Sequence, residues 1–527
     1  MASSTQSLQP AGIAPLAGQS TTLAWGRWTR LVVPSFADCC FVAILAWMFL
    51  FGAGGWKALL ADGDTGWHIR IGEYMLANHA VPTHDLFSFS KPGAPWFAWE
   101  WLSDIGFALL FHAAGLKAIV LCAGALIASY ATVVVRYAIW RGSNALIAAG
   151  VSFLAVGGAS IHFLARPHLV TLIFVPACVW LIEADRRKPT PLVWLLIPAT
   201  ILWTNLHGGF VLFLVLLALL VVGNAAEACW GRPRWAAARR YALLLAACSA
   251  ASLINPFGIG LHSHILEYVR ADWIRNVVME FQAPAFRSEG QSQYEILLAA
   301  GLILSGLLLK RKCVTEALWI LFLAHASLVS VRHVPLYVSV AAPVIASELS
   351  GLWTTLAASF KKGSVIRILH QLGEDIAPSF RWTSVWPLAV IVALAAIDAP
   401  IQWPRDFPAD TFPVSMVHAN SGLLQSGRVL TVDQWADYLI YWNYPRQRVF
   451  VDGRSDFYGE IVAKDYLHLL QGNYDWQAIM NRWDFDRALL PPDWPLASIL
   501  KLDPSWRILQ DDGKAILFLR RQTPSTK

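Results

Sequence analysis

Charge is scarce in this 527-residue chain: Asp, Glu, Lys and Arg make up 14% of it. Its mean hydropathy is +0.48. Soluble domains carry about 25% charged residues, so a solvated globule is excluded. The formal net charge of +6 is no sign of a nucleic-acid partner, because basic residues in such chains chiefly set membrane topology. No Walker or Rossmann glycine fingerprint occurs, and no nucleotide cofactor is expected. The seven cysteines show no paired spacing, which leaves neither a metal-binding motif nor a disulfide framework. The first two dozen residues, rich in Ser, Thr, Gln, Ala, Gly and Pro, lack a basic segment ahead of an apolar core. They read as part of a disordered cytoplasmic tail, 1–29, rather than a cleaved signal peptide.

Apolar residues and tryptophan are abundant instead: 56% of the chain is apolar and 26 residues are Trp, a composition suited to membrane spans with interfacial aromatic belts. A span needs about 20 mostly apolar residues. Eleven segments approach this: 34–55, 116–138, 144–162, 168–184, 191–204, 209–229, 240–254, 295–309, 315–331, 335–352 and 384–399. The stretch 100–114 is apolar but opens on Glu100 and Asp104, and reads as an interfacial or partly inserted helix. Connections alternate in character. Short basic ones, such as Arg186-Arg187-Lys188 and Lys310-Arg311-Lys312, belong on the cytoplasmic side. The others then face outward: 56–115, 162–168, 204–209, 255–294, 332–335 and everything after about 400.

The outer set collects the chemistry. Arg166, His168, His207, Arg332 and His333 all stand at outer helix ends, able to converge on one cavity. Singly, each also reads as a snorkelling or capping residue. The loop 56–115 is too long for a connector and opens with Asp62-Gly63-Asp64, followed by Trp67, His68, Arg70 and Glu73 in a segment with the pattern of an amphipathic surface helix. Val81 to Asp85 breaks it, and Trp96 to Leu102 opens a second helix. Carboxylates near lipid are costly and suggest function, although Asp-Gly-Asp is also a helix-capping turn. His262 and His264, two apart, face opposite sides of a helix and suit packing better than chelation.

This order, with an acidic pair after the first span, a surface helix, a break, an aromatic helix and the second span, resembles the GT-C superfamily of polytopic membrane glycosyltransferases. Its members include protein O-mannosyltransferases, aminoarabinose transferases and oligosaccharyltransferases. The chain is also similar to a group of uncharacterised bacterial membrane proteins through Asp64 to Glu73, Trp203 to Gly209, Asn255 to Gly258, and Arg332 to Pro335. The resemblance covers residues 30–400. It implies a catalytic carboxylate in the first outer loop, a polyprenyl-phosphate-linked sugar as donor, and basic outer residues on the lipid phosphate. Glycosyl transfer to a hydroxyl needs a base and positive charge on the leaving phosphate. Asp64 is the first candidate base and Asp62 the second. Arg332, then Arg166, are the candidates for phosphate, with His333, His68, Arg70, Glu100 and His207 as further substrate-binding candidates. A divalent metal is compatible with such a set, but no spacing requires one.

After about residue 400 the pattern becomes that of a small α/β domain, 401–527. Strands are expected at 428–432, 448–452 and 488–491, helices at 433–442, 459–471 and 475–483, and a hairpin around Asp511-Asp512-Gly513. The run Val451 to Asp456 places charge at a strand end, where ligands bind in open sheets. It equally forms a turn with an internal Arg–Asp pair.

The sequence thus points to a helical polytopic protein of about eleven spans, GT-C-like, with a small extracytoplasmic α/β domain. The expected setting is a bacterial inner membrane, with a cytoplasmic amino terminus. The expected activity is transfer of a sugar from a polyprenyl-phosphate donor to a lipid, glycan or protein acceptor outside. A transporter or flippase of a lipid-linked glycan, or a non-catalytic membrane scaffold, are the alternatives. A transporter usually shows repeated halves and midplane ionisable groups, and neither is visible here.

Overall fold

The computed structural model describes residues 27–51, 54–288, 290–398 and 401–521; most of the expected amino-terminal tail, 1–26, lies outside them. Helices occur at all eleven expected spans. Among the described residues, seven helices are long and apolar enough to cross a membrane: Trp28–Phe51, Trp101–Trp140, Ala145–His162, His168–Arg187, Phe210–Cys229, Gln291–Lys310 and Val331–Ser359. An eighth results if Val365–Arg381 and Trp386–Ala396, bent by 74°, form one broken span. The count of about eleven is therefore not confirmed by length and composition. Pro191–Leu206 and Val314–Val329 are apolar but short. Trp235–Ala251 opens with Arg239 and Arg240 in its first half, and Trp386–Ala396 has only 11 residues.

The 40-residue Trp101–Trp140 helix is broken at Ala114 and Gly115, where Gly115 takes φ 62. Glycine reaches that region without the Cβ penalty. The break separates the 101–113 helix from the apolar 116–140 helix, the division expected from Glu100 and Asp104. Ahead of it, the Asp64–Asn78 helix ends on His79 in the left-handed region. It was expected to lie along the surface but is enclosed. Trp67, Ile69, Ile71 and Met75 are buried, between the 101–140 helix on one side and the Asp433–Asn443 helix of the C-terminal domain on the other. At the second contact, a Cβ on Gly66 would lie 2.8 Å from Tyr441 Cβ and 2.9 Å from the Asp437 carbonyl oxygen. Only a hydrogen fits there.

The C-terminal domain carries a four-stranded sheet of order β1-β2-β4-β3, formed by β1 Val429–Thr431, β2 Arg487–Leu490, β3 Trp506–Asp511 and β4 Ile516–Arg520. β1 and β2 are parallel; β4 is antiparallel to both β2 and β3. The helices Asp433–Asn443, Ser455–Gln471 and Trp476–Arg482 stand near their expected places. The expected strand 448–452 does not join the sheet. Its Val449 bridges Ser88 of the first outer loop instead, with Phe89 N donating to Val449 O and Val449 N to Phe87 O, both at 2.9 Å. Its β-forming residues thus pair with the membrane half of the chain. The apolar core runs without interruption from Phe41 among the spans to Phe518 in β4.

Candidate functional site

A cavity of about 480 Å³ lies where the helix ends that border loop 56–115 meet the C-terminal domain. Asp64, Glu100, Arg166, His207, Arg332 and His333, six of the residues singled out in the sequence, line it. The chain reaches this point repeatedly because helices begin here: His168–Arg187, Phe210–Cys229 and Val334–Ser359 all start at its wall. Helix N-termini carry partial positive charge and attract anions.

Asp64 is the first residue of its helix, a position favourable to an anion. Asp62 Oδ1 accepts from Asp64 N at 2.9 Å, so the capping turn is real, but the pair does more than cap. Arg166 binds Asp62 Oδ2 at 3.0 Å, Asp64 Oδ2 at 2.6 Å and Glu280 Oε1 at 2.7 Å. One guanidinium thus faces three carboxylates. Arg166 holds Glu280 well below the usual carboxylate range, while burial, opposed by Arg166, pushes Asp64 up to about 7. Glu280 was not among the sequence candidates. It lies in a one-turn helix, Met279–Phe281, that no periodicity announces.

Arg332 is differently placed. Its guanidinium stacks on Phe281, 4.6 Å from the ring centroid. Among the described residues no carboxylate pairs with it, and it remains the available cation of the wall. The histidines beside it are locked into uncharged contacts. His168 Nε2 donates to His162 O at 2.6 Å. His207 Nδ1 shares a hydrogen bond with Thr171 Oγ1 at 2.8 Å, and its Nε2 lies 3.6 Å from Glu100. His68 shares a 2.5 Å hydrogen bond with Asp104 through Nδ1, and its Nε2 is 3.8 Å from Glu100. Burial lowers His68 and His207 and pushes Glu100 up to about 8, so this belt adds little charge.

His68 lies beneath the belt, outside the cavity wall. Arg70 points away altogether. Its Nε donates to Tyr441 O at 2.6 Å and its Nη1 to Glu73 at 2.7 Å. It caps the last turn of the Asp433–Asn443 helix, where carbonyls lack helical partners, and so fastens the two halves of the chain rather than meeting a ligand. His262 and His264 have separate partners, Ser252 Oγ and Asp456 Oδ2, each at 2.9 Å.

The Val451 to Asp456 turn forms the internal Arg–Asp pair, and it does not stand at the end of a sheet strand. Arg454 donates to Asp452 Oδ1 at 2.9 Å and to Asp85 Oδ1 at 2.8 Å, an internal pair extended to the first outer loop. Gly453 to Asp456 also line the cavity, opposite Trp96 and Trp99. Among the described residues no three His, Cys, Asp or Glu side chains are grouped to hold a metal ion. Of the acids that line the cavity, Asp64 and Glu280 are bound by Arg166, whereas Glu100 faces His207 and Asp456 faces His264.

No protein-family model matches the sequence, and neither does any curated protein sequence. Solved structures do match. Archaeal oligosaccharyltransferase AglB from Archaeoglobus fulgidus, in complex with an inhibitory peptide and a dolichol-phosphate, superposes with a TM-score of 0.58 at 11% identity, over 88% of this chain and 69% of that one. The same organism's oligosaccharyltransferase tethered to an acceptor peptide gives 0.54 at 11% identity, over 88% and 68%. ArnT from Cupriavidus metallidurans in the apo state gives 0.43 at 14% identity, over 92% and 96%. The chain therefore has the fold of the two archaeal oligosaccharyltransferase structures.

Proposed function

We propose that the chain is a GT-C-type glycosyltransferase that moves a hexosyl or pentosyl group from a polyprenyl-phosphate donor to an acceptor hydroxyl. The site would face the extracytoplasmic side of a bacterial inner membrane, and the acceptor would be a lipid, glycan or protein. The observation that carries this reading is the pairing, in one cavity, of a buried carboxylate poised near neutrality, Asp64, with a cation not neutralised by a carboxylate, Arg332. A base works best when its pKa lies near the working pH. Asp64 would take the acceptor proton as the acceptor oxygen attacks the sugar, and Arg332 with the three helix N-termini would receive the departing phosphate. Arg166 would hold Asp62, Asp64 and Glu280 in place.

The cavity opens where helices begin rather than at their middles, which favours an enzyme over a transporter. The test is transfer from a polyprenyl-phosphate sugar by the purified chain in detergent. Asp64→Asn should lower the rate by about 10²–10⁴ while leaving membrane insertion intact. Loss in Asp62→Asn alone would move the base to Asp62. Full activity in both variants would sink the proposed chemistry.

A further inference from the structure

Behind Asp64 stands a second carboxyl that comes from the other half of the chain. Asp437, in the Asp433–Asn443 helix, is wholly buried and does not belong to the cavity wall. Its Oδ1 accepts from Gly453 N at 3.0 Å. Among the described residues its Oδ2 has no hydrogen-bond partner, and neither has Asp64 Oδ1, while the Trp67 indole N–H beside the Asp64 carboxyl is unpaired as well. Both orphaned atoms border the same point: a Cβ on Gly453 would overlap Asp64 Oδ1 and meet Asp437 Oδ2 at 3.0 Å. Only a glycine lets the two approach.

The surroundings offer Asp437 no cation. Asp452 faces it from the 452–454 turn but is bound by Arg454. Asp433, on its own helix, is hydrogen-bonded with Tyr466. Arg166 reaches only Asp64, which it shares with Asp62 and Glu280. Two desolvated anions facing each other are strongly disfavoured, and the neutral Trp67 indole beside Asp64 brings no charge to offset them. One proton supplies a donor and removes one of the charges.

We infer that Asp64 and Asp437 hold a single proton between them, with Asp437 a positioning residue that donates to Asp64 Oδ1 and keeps Asp64 anionic. This rests on Asp64 being the base of the proposed transfer. In the resting pair Asp437 is the acid and Asp64 the carboxylate. During transfer Asp64 takes the acceptor's proton, the acceptor oxygen bonds the anomeric carbon, and the bond from that carbon to the lipid phosphate breaks. The pair then carries two protons and returns one to water through the cavity. Burial and the charge of Asp64 both drive the Asp437 carboxyl well up. Both groups hold protons more firmly in the folded chain than in an unfolded one, so their stabilising contribution is greatest in acid and is lost as pH rises through the range where the folded pair ionises. Above that range the pair becomes doubly ionised and pushes the C-terminal domain away from the Asp64–Asn78 helix.

Asp437→Asn tests this, because an amide accepts from Gly453 N and donates to Asp64 as a protonated acid would. The parent should show a bell-shaped pH–rate profile. Asp437→Asn should keep the acid limb and lose the alkaline limb, since its donor cannot ionise. Infrared titration of the full chain in detergent reads the proton without any transfer assay. The protonated-carboxyl C=O band of the parent at neutral pH should lose its Asp437 component in Asp437→Asn, while the part that comes from Glu100 stays in both. In Asp64→Asn, which removes the facing charge, the Asp437 component should titrate about one pH unit or more lower. Superimposable pH profiles, or identical C=O bands in parent and Asp437→Asn, would overturn the shared proton. If Asp437→Asn does not fold, an unshifted band in Asp64→Asn overturns it equally. The band changes observed in a chain that transfers no sugar would uphold the pair and reject only the assigned reaction.

Discussion

Arg166 and Arg332 look alike in sequence, each at an outer helix end beside a histidine. Three carboxylates occupy Arg166, whereas an aromatic ring supports Arg332. A guanidinium stacked on a ring and open to a cavity presents a planar fork to phosphate, which the lysine ammonium cannot reproduce. Arg332→Lys should therefore weaken donor binding about tenfold or more, and Arg332→Ala more again, in line with about 1.5–3 kcal/mol for a charged hydrogen bond. Equal donor affinity in the parent and both variants, measured by calorimetry with polyprenyl phosphate, would reduce Arg332 to a snorkelling residue. Asp64, Glu100 and the outer histidines were visible in the sequence because motifs and polarity at span ends single them out. Glu280 and Asp437 were not. Each acquires its role from a partner far along the chain, and each sits in a segment with an ordinary local pattern.

At the level of elements, the Asp64–Asn78 helix shows what periodicity reveals and what it leaves open. Trp67, Ile71 and Met75 mark an apolar face, but not what covers it. The small residue at Gly66 is the clue to the second contact, and its meaning depends on where Tyr441 and Asp437 arrive. The 448–452 segment gives the same lesson: its β-forming residues predict pairing, and the partner proves to be Ser88 rather than the sheet. Because the atoms meeting Gly66 include backbone, they cannot swing aside. Gly66→Ala should cost about 1–3 kcal/mol, the usual range for overpacking. It should lower the melting temperature in detergent and speed proteolytic release of the C-terminal domain. Gly422→Ala, at an open position without a positive φ, serves as the control. A Gly66→Ala protein as stable and as protease-resistant as the parent would show that the two helices are not held at this crossing.

For the molecule as a whole, hydropathy found every apolar helix but could not separate a full span from a short or broken one. That distinction depends on length and on how neighbours shield a helix's polar groups, neither of which composition records. Sidedness follows from the basic loops by a separate route, and the site depends on it, since the cavity, the Asp64–Asn78 helix and the C-terminal domain all lie at one end of the bundle. Three exposed positions test it: Ala77 beside the cavity-bearing loop, Tyr474 on the C-terminal domain at 96% exposure, and Ser359 at the opposite helix end next to Lys361 and Lys362. Cys39 and Cys229 are exposed in the natural chain, so the background should first have its cysteines replaced by serine or alanine. In intact spheroplasts, Ala77→Cys and Tyr474→Cys should react with an impermeant maleimide, and Ser359→Cys only after permeabilisation. The reverse pattern would place the cavity in the cytoplasm, where an extracytoplasmic acceptor could not reach Asp64. Labelling of Ala77→Cys and Tyr474→Cys from opposite sides would contradict the packing of the Asp64–Asn78 and Asp433–Asn443 helices on which the site is built.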